Sequence, residues 1–600
     1  MSILAQSSRD RFCFTVLALY DRFCKWSRAA TKVLFCLAIG STAFIPRLHA
    51  QCGFSSTSVG NRLTYVFEPV VTDGKLVLHV TLEFRAGHDG TTELELPSDW
   101  AEQSHLEGQV TNLHATPNDA VLLDTARPSI KTLRFAPDQM VTISCDLIKD
   151  WQGAFEYPKQ FRAVLEPTFF EFTTQNALVH PKLASTDTVN VNFDWQKLPT
   201  NWTLETSFGL DRCQSFTGLW HEVNDALFAG GEFRIHRVTT EHQALVVAIR
   251  GEWSFTDEEA VTQIQKIIRA ERDFWCDYDF PYYLVTLKPF DTRSGSSDGS
   301  AFTNAFWLYL SAQDKFSYAN QNVLAHEVFH SWNPYKMGIV GEPEGNVTWF
   351  TEGFTVYYAD VLLLRSGLLS FPDYIEHLNR RIRDYESSPV KNLPKKQVVT
   401  RYNESSANQL SYVRGPILAL WLDAEIRRNS KNKSSLDTVM HTLVREEAQN
   451  PALELTSQRV LRVASKHLNR SSRGMFRSYV EDGTSIPIPD LPRNPCVHLT
   501  TENLSLFDLG FDADVLRAER KISTVRQDSE AFRAGVRDGQ EVSGMSIYWG
   551  DVSRPVRLTV RSGSGQQEIE YFPKGKPVSV PQYHLDAAAW TSTPERCGLP

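Results

Sequence analysis

The sequence lacks the long apolar runs that membrane-spanning helices need. No internal stretch approaches the roughly 18 to 20 consecutive apolar residues that cross a bilayer. Hydrophobic residues make up 42% of the 600 positions and charged residues 22%, shares typical of globular proteins. We therefore expect no membrane span in the mature chain, and its length predicts about three or four domains.

The sequence also lacks the patterns of cysteine metal sites and of nucleic-acid binding sites. No two cysteines form a C-x-x-C pair, which argues against cysteine metal sites. The formal net charge is −9 and no basic stripe interrupts it. An acidic surface repels nucleic acid, so we expect no nucleic-acid partner.

The N-terminus has the pattern of a secretory signal. Basic residues in KWSRAATK (25–32) precede the apolar run VLFCLAIGSTAFI (33–45), and cleavage is expected after Ala50. The alternatives are a later translation start and a retained anchor. Residues 1–50 carry a net charge of +5, which leaves −14 and six cysteines in the mature chain. An even cysteine count in an exported protein predicts at least one disulfide, and a periplasmic or extracellular location.

The mature chain divides by its periodicity. Alternating apolar and polar residues with turn signals predict a β-rich N-terminal domain over residues 51–250. Thr256 and Glu259 form a capping box that opens a helix, and helices dominate from 321 to about 480, which predicts a second domain over 251–490. Short strands and a short helix near 529–534 predict a small domain over 491–580, followed by a tail over 581–600.

The segment NVLAHEVFHSWNPYKMG (322–338) carries the strongest chemical pattern. A helix is expected here and should end before Pro334. On one helix face, His326 and His330 can both reach one metal ion. Glu327 is then rotated to a place beside the metal, where a base can take a proton from metal-bound water.

Zinc in a catalytic site needs a third protein ligand. The downstream candidates are Glu342, Glu344, Glu352 and Asp360. A rigid helix holds a ligand better than a loop does, and Glu352 lies near the start of the apolar segment WFTEGFTVYYADVLLL. We therefore predict one Zn²⁺ per chain, held by His326, His330 and Glu352.

A polar stripe on an ordinary helix is the alternative explanation. The helix is largely apolar, however, so burying three titratable groups on it is costly unless something satisfies them. Metal ligation does so. The apolar positions concerned are Val323, Leu324, Val328, Phe329 and Trp332.

The same motifs resemble a known family. HEVFHSWNP followed by WFTEGFTVYYAD, with SYVRGPILALWLDAEIR (411–427), is similar to the glycyl aminopeptidase family of gluzincin (HExxH…E) zinc metallopeptidases. The resemblance implies a multidomain chain: a β-rich N-terminal domain, a thermolysin-like α+β catalytic domain, mostly helical after the HExxH helix, and a small C-terminal PDZ domain. It also implies cleavage of peptide or protein substrates, with a preference for small N-terminal residues.

The resemblance further supplies a role for Tyr412. Gly415 and Pro416 are expected to open a helix, which leaves Tyr412 just before it with a hydroxyl free to stabilise the oxyanion of peptide hydrolysis. A tyrosine packed in the core is the alternative.

One segment departs from the family pattern. Where relatives carry an acidic residue that holds the substrate's α-amine, this chain has SSDGSAFTNAFWLYLS. Asp298, Gly299 and Asn304 are the candidate substrate-binding residues. If none binds an amine, an endopeptidase of the same mechanism is expected. The segment also suits an edge strand that pairs with an extended peptide.

The last domain is similar to bacterial PDZ modules in QDSEAFRAGVRDGQEV (527–542) and LGF (509–511). Such a groove would bind a peptide C-terminus or strand; a domain that only packs on the catalytic one is the alternative. Two other functions stay open: a catalytically inert PDZ scaffold, and a metal-dependent hydrolase of a non-peptide amide or ester.

Overall fold

The computed structural model describes residues 52, 54, 61–101, 103–240, 243–278, 282–291, 297–402, 404–491, 494–562, 565–592 and 597. The predicted signal segment, residues 1–50, lies outside the described residues and stays a prediction. Across the described ranges, no helix has the length and apolar character needed to cross a membrane.

The N-terminal part of the chain consists mainly of strands that pair into three sheets. In chain order these elements are β1 (Asn61–Thr72), β2 (Lys75–Arg85), β3 (Thr91–Glu95), β4 (Val110–Thr116), β5 (Val121–Asp124), β6 (Ile130–Arg134), β7 (Met140–Ile148), β8 (Val164–Glu166), β9 (Phe169–Thr173), α1 (Thr174–Ala177), β10 (His180–Pro181), β11 (Thr188–Asp194), β12 (Thr203–Thr206), β13 (Cys213–Leu219), α2 (Trp220–Asn224) and β14 (Leu227–Gly231).

Sheet order explains how this β-rich region forms its core. The sheets run β13-β11-β1-β2-β7-β4, β10-β3-β6-β5 and β12-β14-β9-β8. Alternate side chains of β2 are buried, as period-2 alternation predicts. Phe67 stacks on Trp195 at a ring-centroid distance of 3.9 Å in the common core. The β-rich N-terminal region is therefore confirmed.

The next sheet begins before the predicted boundary at residue 250. Its order is β15-β16-β17-β19-β18, and β16 runs parallel to β17. Sequence alternation cannot tell which sheet a strand joins, so the predicted range 51–250 includes β15 and β16. The elements are β15 (Arg234–Thr240), β16 (Gln243–Ile249), α3 (Asp257–Trp275), β17 (Tyr282–Phe290), β18 (Ser297–Phe302) and β19 (Ala305–Ser311).

Helix α3 makes the crossover that this parallel pair requires. It begins with the predicted capping box: the Thr256 hydroxyl accepts from the Glu259 N–H at 3.2 Å, and the Glu259 carboxylate accepts from the Thr256 N–H at 2.8 Å. The sheet and α3 belong to one large hydrophobic core that continues into the following helices.

Helices dominate from residue 318 to residue 481, as predicted. They cover one side of the sheet and share its core. Their bounds are α4 (Tyr318–Phe329), α5 (Thr348–Thr351), α6 (Gly353–Arg365), α7 (Phe371–Ser387), α8 (Lys395–Thr400), α9 (Ser405–Ser430), α10 (Leu436–Gln449), α11 (Ser457–Ser465) and α12 (Arg470–Glu481).

The C-terminal region has two parts. Strands β20 and β24 pair with each other and pack on α7, whereas β21, β22 and β23 form a sheet with its own small core. The predicted boundary at residue 580 falls inside β24. The elements are β20 (Val497–Phe507), α13 (Ala513–Glu519), α14 (Glu530–Arg533), β21 (Glu541–Ser546), β22 (Val556–Ser562), β23 (Gly565–Tyr571), β24 (Lys574–Leu585) and α15 (Ala587–Ser592).

Two disulfides between described residues tie distant parts of the chain. Cys52 pairs with Cys213, and Cys496 pairs with Cys597, while Cys145 is a buried free thiol. The predicted disulfide is thus confirmed. Such bonds persist in oxidising compartments, so they favour an exported protein, and the second bond joins the end of the chain to the start of β20.

Candidate metal centre

Helix α4 places the HExxH residues at the rim of the core. One face of the helix is packed into that core, and its fully buried members include Leu324, Ala325 and Phe329. His326, Glu327 and His330 are only partly buried. Because the histidines are one turn apart, their rings lie side by side with centroids 4.8 Å apart.

Glu352 completes a three-residue cluster. It joins α5 to α6, so it lies at the start of the apolar helix, where the sequence placed it. Its Oε2 is 3.3 Å from His326 Nε2 and 3.4 Å from His330 Nε2, and the two Nε2 atoms are 3.1 Å apart. Tetrahedral zinc with bonds of about 2.0 to 2.1 Å separates neighbouring ligand atoms by about 3.3 Å. The donor set and its spacing therefore fit zinc, with one corner left for substrate or water.

The charges in the cluster also favour a cation. Burial lowers the pKa of His330, but Glu352 and Glu327 outweigh this effect and raise the pKa to about 9. Burial raises the pKa of Glu352, but the two histidines outweigh it and hold that pKa well below its usual range. The carboxylates thus stabilise a positive charge between the rings, where a bound zinc ion would supply it.

Asn333 connects the two segments that carry the candidate ligands. The His330 Nδ1 lies 2.8 Å from the backbone carbonyl of Asn333, and a proton on Nδ1 leaves the Nε2 lone pair facing Glu352. The buried Asn333 amide donates to the Thr351 carbonyl at 3.2 Å and to the Thr355 hydroxyl at 3.1 Å. The residue therefore joins the end of α4 to the turn that carries Glu352.

Glu327 lies beside the cluster and not within it. Burial raises the pKa of its carboxyl, while His326 and His330 act in the opposite direction. A backbone hydrogen bond from Ala301, on β18, also reaches this carboxylate. A carboxylate with a raised pKa suits a general base when it lies next to an open coordination position of a metal ion.

Tyr412 lies in a helix, contrary to the sequence expectation. The expected helix start at Gly415 and Pro416 is wrong, since α9 runs from Ser405 through Pro416 to Ser430. Gly415 and Pro416 are buried against the core, and this packing offsets the lost backbone hydrogen bond of proline.

The Tyr412 side chain nevertheless reaches the site. Its ring centroid is 6.0 Å from that of His326, and its hydroxyl hydrogen-bonds with Glu352. Burial, followed by the charge of Glu352, raises its pKa, so the phenol stays protonated. The side chain is 37% exposed, which argues against a purely core role.

Two of the other candidate ligands, Glu342 and Asp360, have structural partners. Glu342 accepts a hydrogen bond from the Ser457 backbone N–H. Asp360 accepts from Asn322 at 2.8 Å and pairs with Arg381 at 2.6 Å. Glu344 begins a short 3₁₀ turn, and its side chain lies outside the described part of the structure.

The predicted substrate residues lie on or beside β18. Asp298 accepts a hydrogen bond from Gln160 at 2.8 Å, so it contacts the N-terminal domain. A Cβ at Gly299 would overlap the Phe306 ring, so glycine is required there by packing. Asn304 occupies the β18–β19 turn with φ 52°. Their roles in substrate binding stay predictions.

Sequence reasoning missed two residues near the site. Tyr335 is 55% exposed, and its hydroxyl lies 3.2 Å from an oxygen of Asp225. The charge of Asp225 raises the Tyr335 pKa most, and Glu327 and Glu352 add to it. Tyr335 follows the HExxH helix closely in sequence, which could have suggested it, whereas nothing in the sequence connects Asp225 to the site.

The segment that carries the site matches a known family. Residues 319–436 match the family model of the M61 glycyl aminopeptidases. That segment contains both histidines, Glu327, Glu352 and Tyr412. No curated protein sequence matches the chain.

Among solved structures, the chain is similar to an aminopeptidase N family protein from Idiomarina loihiensis. The identity is 17% and the TM-score 0.68, over 89% of this chain and 99% of that chain. It is also similar to an M1 zinc metallopeptidase from Deinococcus radiodurans, at 15% identity and a TM-score of 0.43, over 72% of this chain and 96% of that chain. The first likeness shows a common fold, and the second is too distant to add to it. The family match and the ligand geometry support a metallopeptidase.

Proposed function

We propose that this chain is an exported zinc aminopeptidase that favours small N-terminal residues. The observation that carries the proposal is the convergence of His326, His330 and Glu352 at zinc-ligand spacing, with Glu327 alongside. The match of residues 319–436 to glycyl aminopeptidases supports both the peptidase chemistry and the small-residue preference.

The roles of the side chains follow from their positions. Zinc held by His326, His330 and Glu352 would polarise the attacking water and the scissile carbonyl. Glu327 takes the proton from the water and delivers it to the leaving amine. The Tyr412 hydroxyl donates a hydrogen bond to the oxyanion that forms as the carbonyl is attacked.

The substrate backbone has a natural place beside Glu327. Strand β18 pairs with β19 on one side, and no described strand pairs with its other side. Ala301 on β18 contacts Glu327, so a peptide added to this edge would pass the base. Strand addition of this kind fixes an extended peptide through its backbone.

The main competitor is an endopeptidase with the same mechanism. An aminopeptidase needs an acceptor for the substrate's α-amine, and Asp298, the acidic candidate on β18, already accepts from Gln160. Specificity therefore has to be settled by substrates that differ only at the N-terminus.

The inert-scaffold alternative is weaker. The stretch after LGF is helix α13, whereas peptide capture by strand addition needs an extended edge there. Peptide binding by this region, and hydrolysis of a non-peptide amide or ester, are therefore secondary outcomes of the test below.

The test compares the wild type with Glu327→Ala. Both proteins are assayed for zinc and for hydrolysis of matched peptides with free and acetylated N-termini. We expect about one zinc per chain in both proteins, as one three-ligand site implies, with turnover of free N-termini by the wild type only. Turnover of acetylated peptides would establish an endopeptidase. Zinc without peptide turnover would favour a non-peptide substrate. Absence of zinc from the wild type would refute the proposal that the chain is a zinc enzyme.

A further inference from the structure

The helix that carries Tyr412 receives its N-terminal cap from another part of the chain. Helix α9 begins at Ser405, and its own N-cap residue, Glu404, makes no side-chain cap hydrogen bond. Instead, Oδ1 of Asp514 accepts the Ser406 backbone N–H at 3.1 Å. An acceptor here satisfies a free helix N–H, and its negative charge suits the helix dipole.

Arg517 makes a second contact at the same place. It donates to the Ser405 hydroxyl at 2.8 Å and lies 3.6 Å from Asp514. Both residues are on α13, so one short helix of the C-terminal region contacts the first turn of α9 through two side chains.

Helix α13 is itself firmly placed. Asp512 caps it by accepting from the backbone N–H groups of Asp514 and Val515 at 2.9 and 3.1 Å. Leu516 is fully buried in the small C-terminal core. The Arg517 guanidinium lies 4.2 Å from the Trp549 ring centroid. The side chains that contact α9 therefore belong to a helix that is itself held in place.

The first part of α9 is separated from the rest of the helix by Pro416. Pro416 has no N–H, so the Tyr412 carbonyl lacks the helical hydrogen bond that it would receive from that position. Proline also tends to kink a helix at this point. The segment from Ser405 to Gly415, which includes Tyr412, is therefore joined to the rest of α9 by one backbone hydrogen bond fewer than in a helix without proline.

We propose that Asp514 is a positioning residue for Tyr412. By capping α9, it fixes the segment that aims the Tyr412 hydroxyl at the oxyanion, so the C-terminal region contributes to catalysis without touching substrate. This inference rests on the proposed function, because the contribution is seen only if Tyr412 acts in turnover.

The test uses the full chain with zinc bound. Asp514→Ala removes the acceptor, whereas Asp514→Asn keeps an oxygen that can accept from Ser406. We expect Asp514→Ala to lower kcat about fivefold with KM within about twofold, the pattern of an interaction made in the transition state. Asp514→Asn should restore kcat to within about twofold of wild type. Backbone amides at 406–412 should exchange with deuterium faster in Asp514→Ala only.

Asp528→Ala is the matched control. Asp528 is an exposed aspartate of the same region, paired with Lys576 at 2.7 Å, and its loss should leave kcat and amide exchange unchanged. Unchanged kcat in Asp514→Ala, or an equal loss in Asp514→Asn, would overturn the positioning role. A wild type without turnover would refute the proposed function and the catalytic consequence together, while the exchange rates test the cap independently.

Discussion

Gly353 and Gly415 face each other at the crossing of α6 and α9. A Cβ on either glycine would overlap the Cα of the other, so the two backbones touch. Glu352 directly precedes the first glycine, and Tyr412 lies one helical turn before the second. This close crossing is what brings the tyrosine hydroxyl to the carboxylate of the candidate metal site.

The crossing predicts a large effect of Gly415→Ala. The added methyl group would meet backbone atoms of Gly353 and Trp349. Because backbone cannot move aside by a rotamer change, the helices must separate. We expect the free energy of unfolding to fall by about 1 to 3 kcal/mol, and we expect peptide turnover to fall as well. Thermal denaturation and kcat check both. Gly474→Ala in α12 is the control: its Cβ would meet nothing within 4 Å, so stability should be unchanged or raised by up to about 1 kcal/mol.

Tyr412→Phe tests the hydroxyl alone. The ring stays in place, and only the donor to the oxyanion is lost. We expect kcat to fall about 100-fold with KM and zinc content little changed. A steady-state comparison at saturating peptide checks this. If the variant kept wild-type kcat, Tyr412 would have only a packing role.

The parts of the site that the sequence predicts are those set by short-range geometry. Helical spacing alone places His326 and His330 together, and rigidity alone favours Glu352 over the loop acids. Each of these inferences needs only neighbours within a few turns. In the structure the three side chains lie together, because the tertiary fold keeps both residues' helices where local geometry favours them.

The parts that fail depend on distant packing. Pro416 was expected to open a helix, but burial of the surrounding residues against α6 outweighs the local penalty of proline. The interaction of Asp225 with Tyr335 joins segments 110 residues apart, and no local pattern reports it. The sheet that contains β16 begins before residue 250 for the same reason, since β16 pairs with β17 across a helix.

Asn333→Ala tests the link between the two ligand-bearing segments. Removing the amide frees the turn before Glu352, so we expect zinc affinity to fall about 10- to 100-fold. Competition with a chelator measures this. Asn379→Ala is the matched control, because Asn379 is also buried and bonds the Tyr583 backbone twice, at 2.8 Å each. It should lower stability without changing zinc affinity; equal zinc loss in both variants would show a general effect of destabilisation.

A buried charge network joins the N-terminal domain to the sheet beneath the site. Glu171 pairs with Lys288 and accepts from Thr286 and Tyr309, at 2.9 and 2.5 Å. Glu205 lies near this pair, and both of its carboxylate oxygens are buried. Burial raises the pKa of Glu205 to about 8, although a hydrogen bond with Thr203 and the charge of Lys288 act against the rise.

Glu205 should therefore make stability depend on pH. Between about pH 4.3, the usual pKa of glutamate, and about 8, the folded chain keeps a proton that the unfolded chain releases. Unfolding is then favoured as pH rises through this window. We expect Glu205→Gln to match the wild type in Tm near pH 5 and to exceed it near pH 8. Tm measured across this range checks the sign, and parallel curves would contradict it.

Glu171→Gln should behave in the opposite way, although it is the same substitution in the same network. Glu171 is the partner of Lys288, so losing its charge leaves a buried ammonium unpaired, at a cost of about 3 to 5 kcal/mol. We expect a lower Tm than wild type at pH 5 and at pH 7 alike. If both glutamine variants lowered Tm at pH 7, Glu205 would not fold with its proton. A lower Tm for Glu171→Gln together with a higher Tm for Glu205→Gln would instead show that Glu205 folds with its proton, while Glu171 serves as the partner of Lys288.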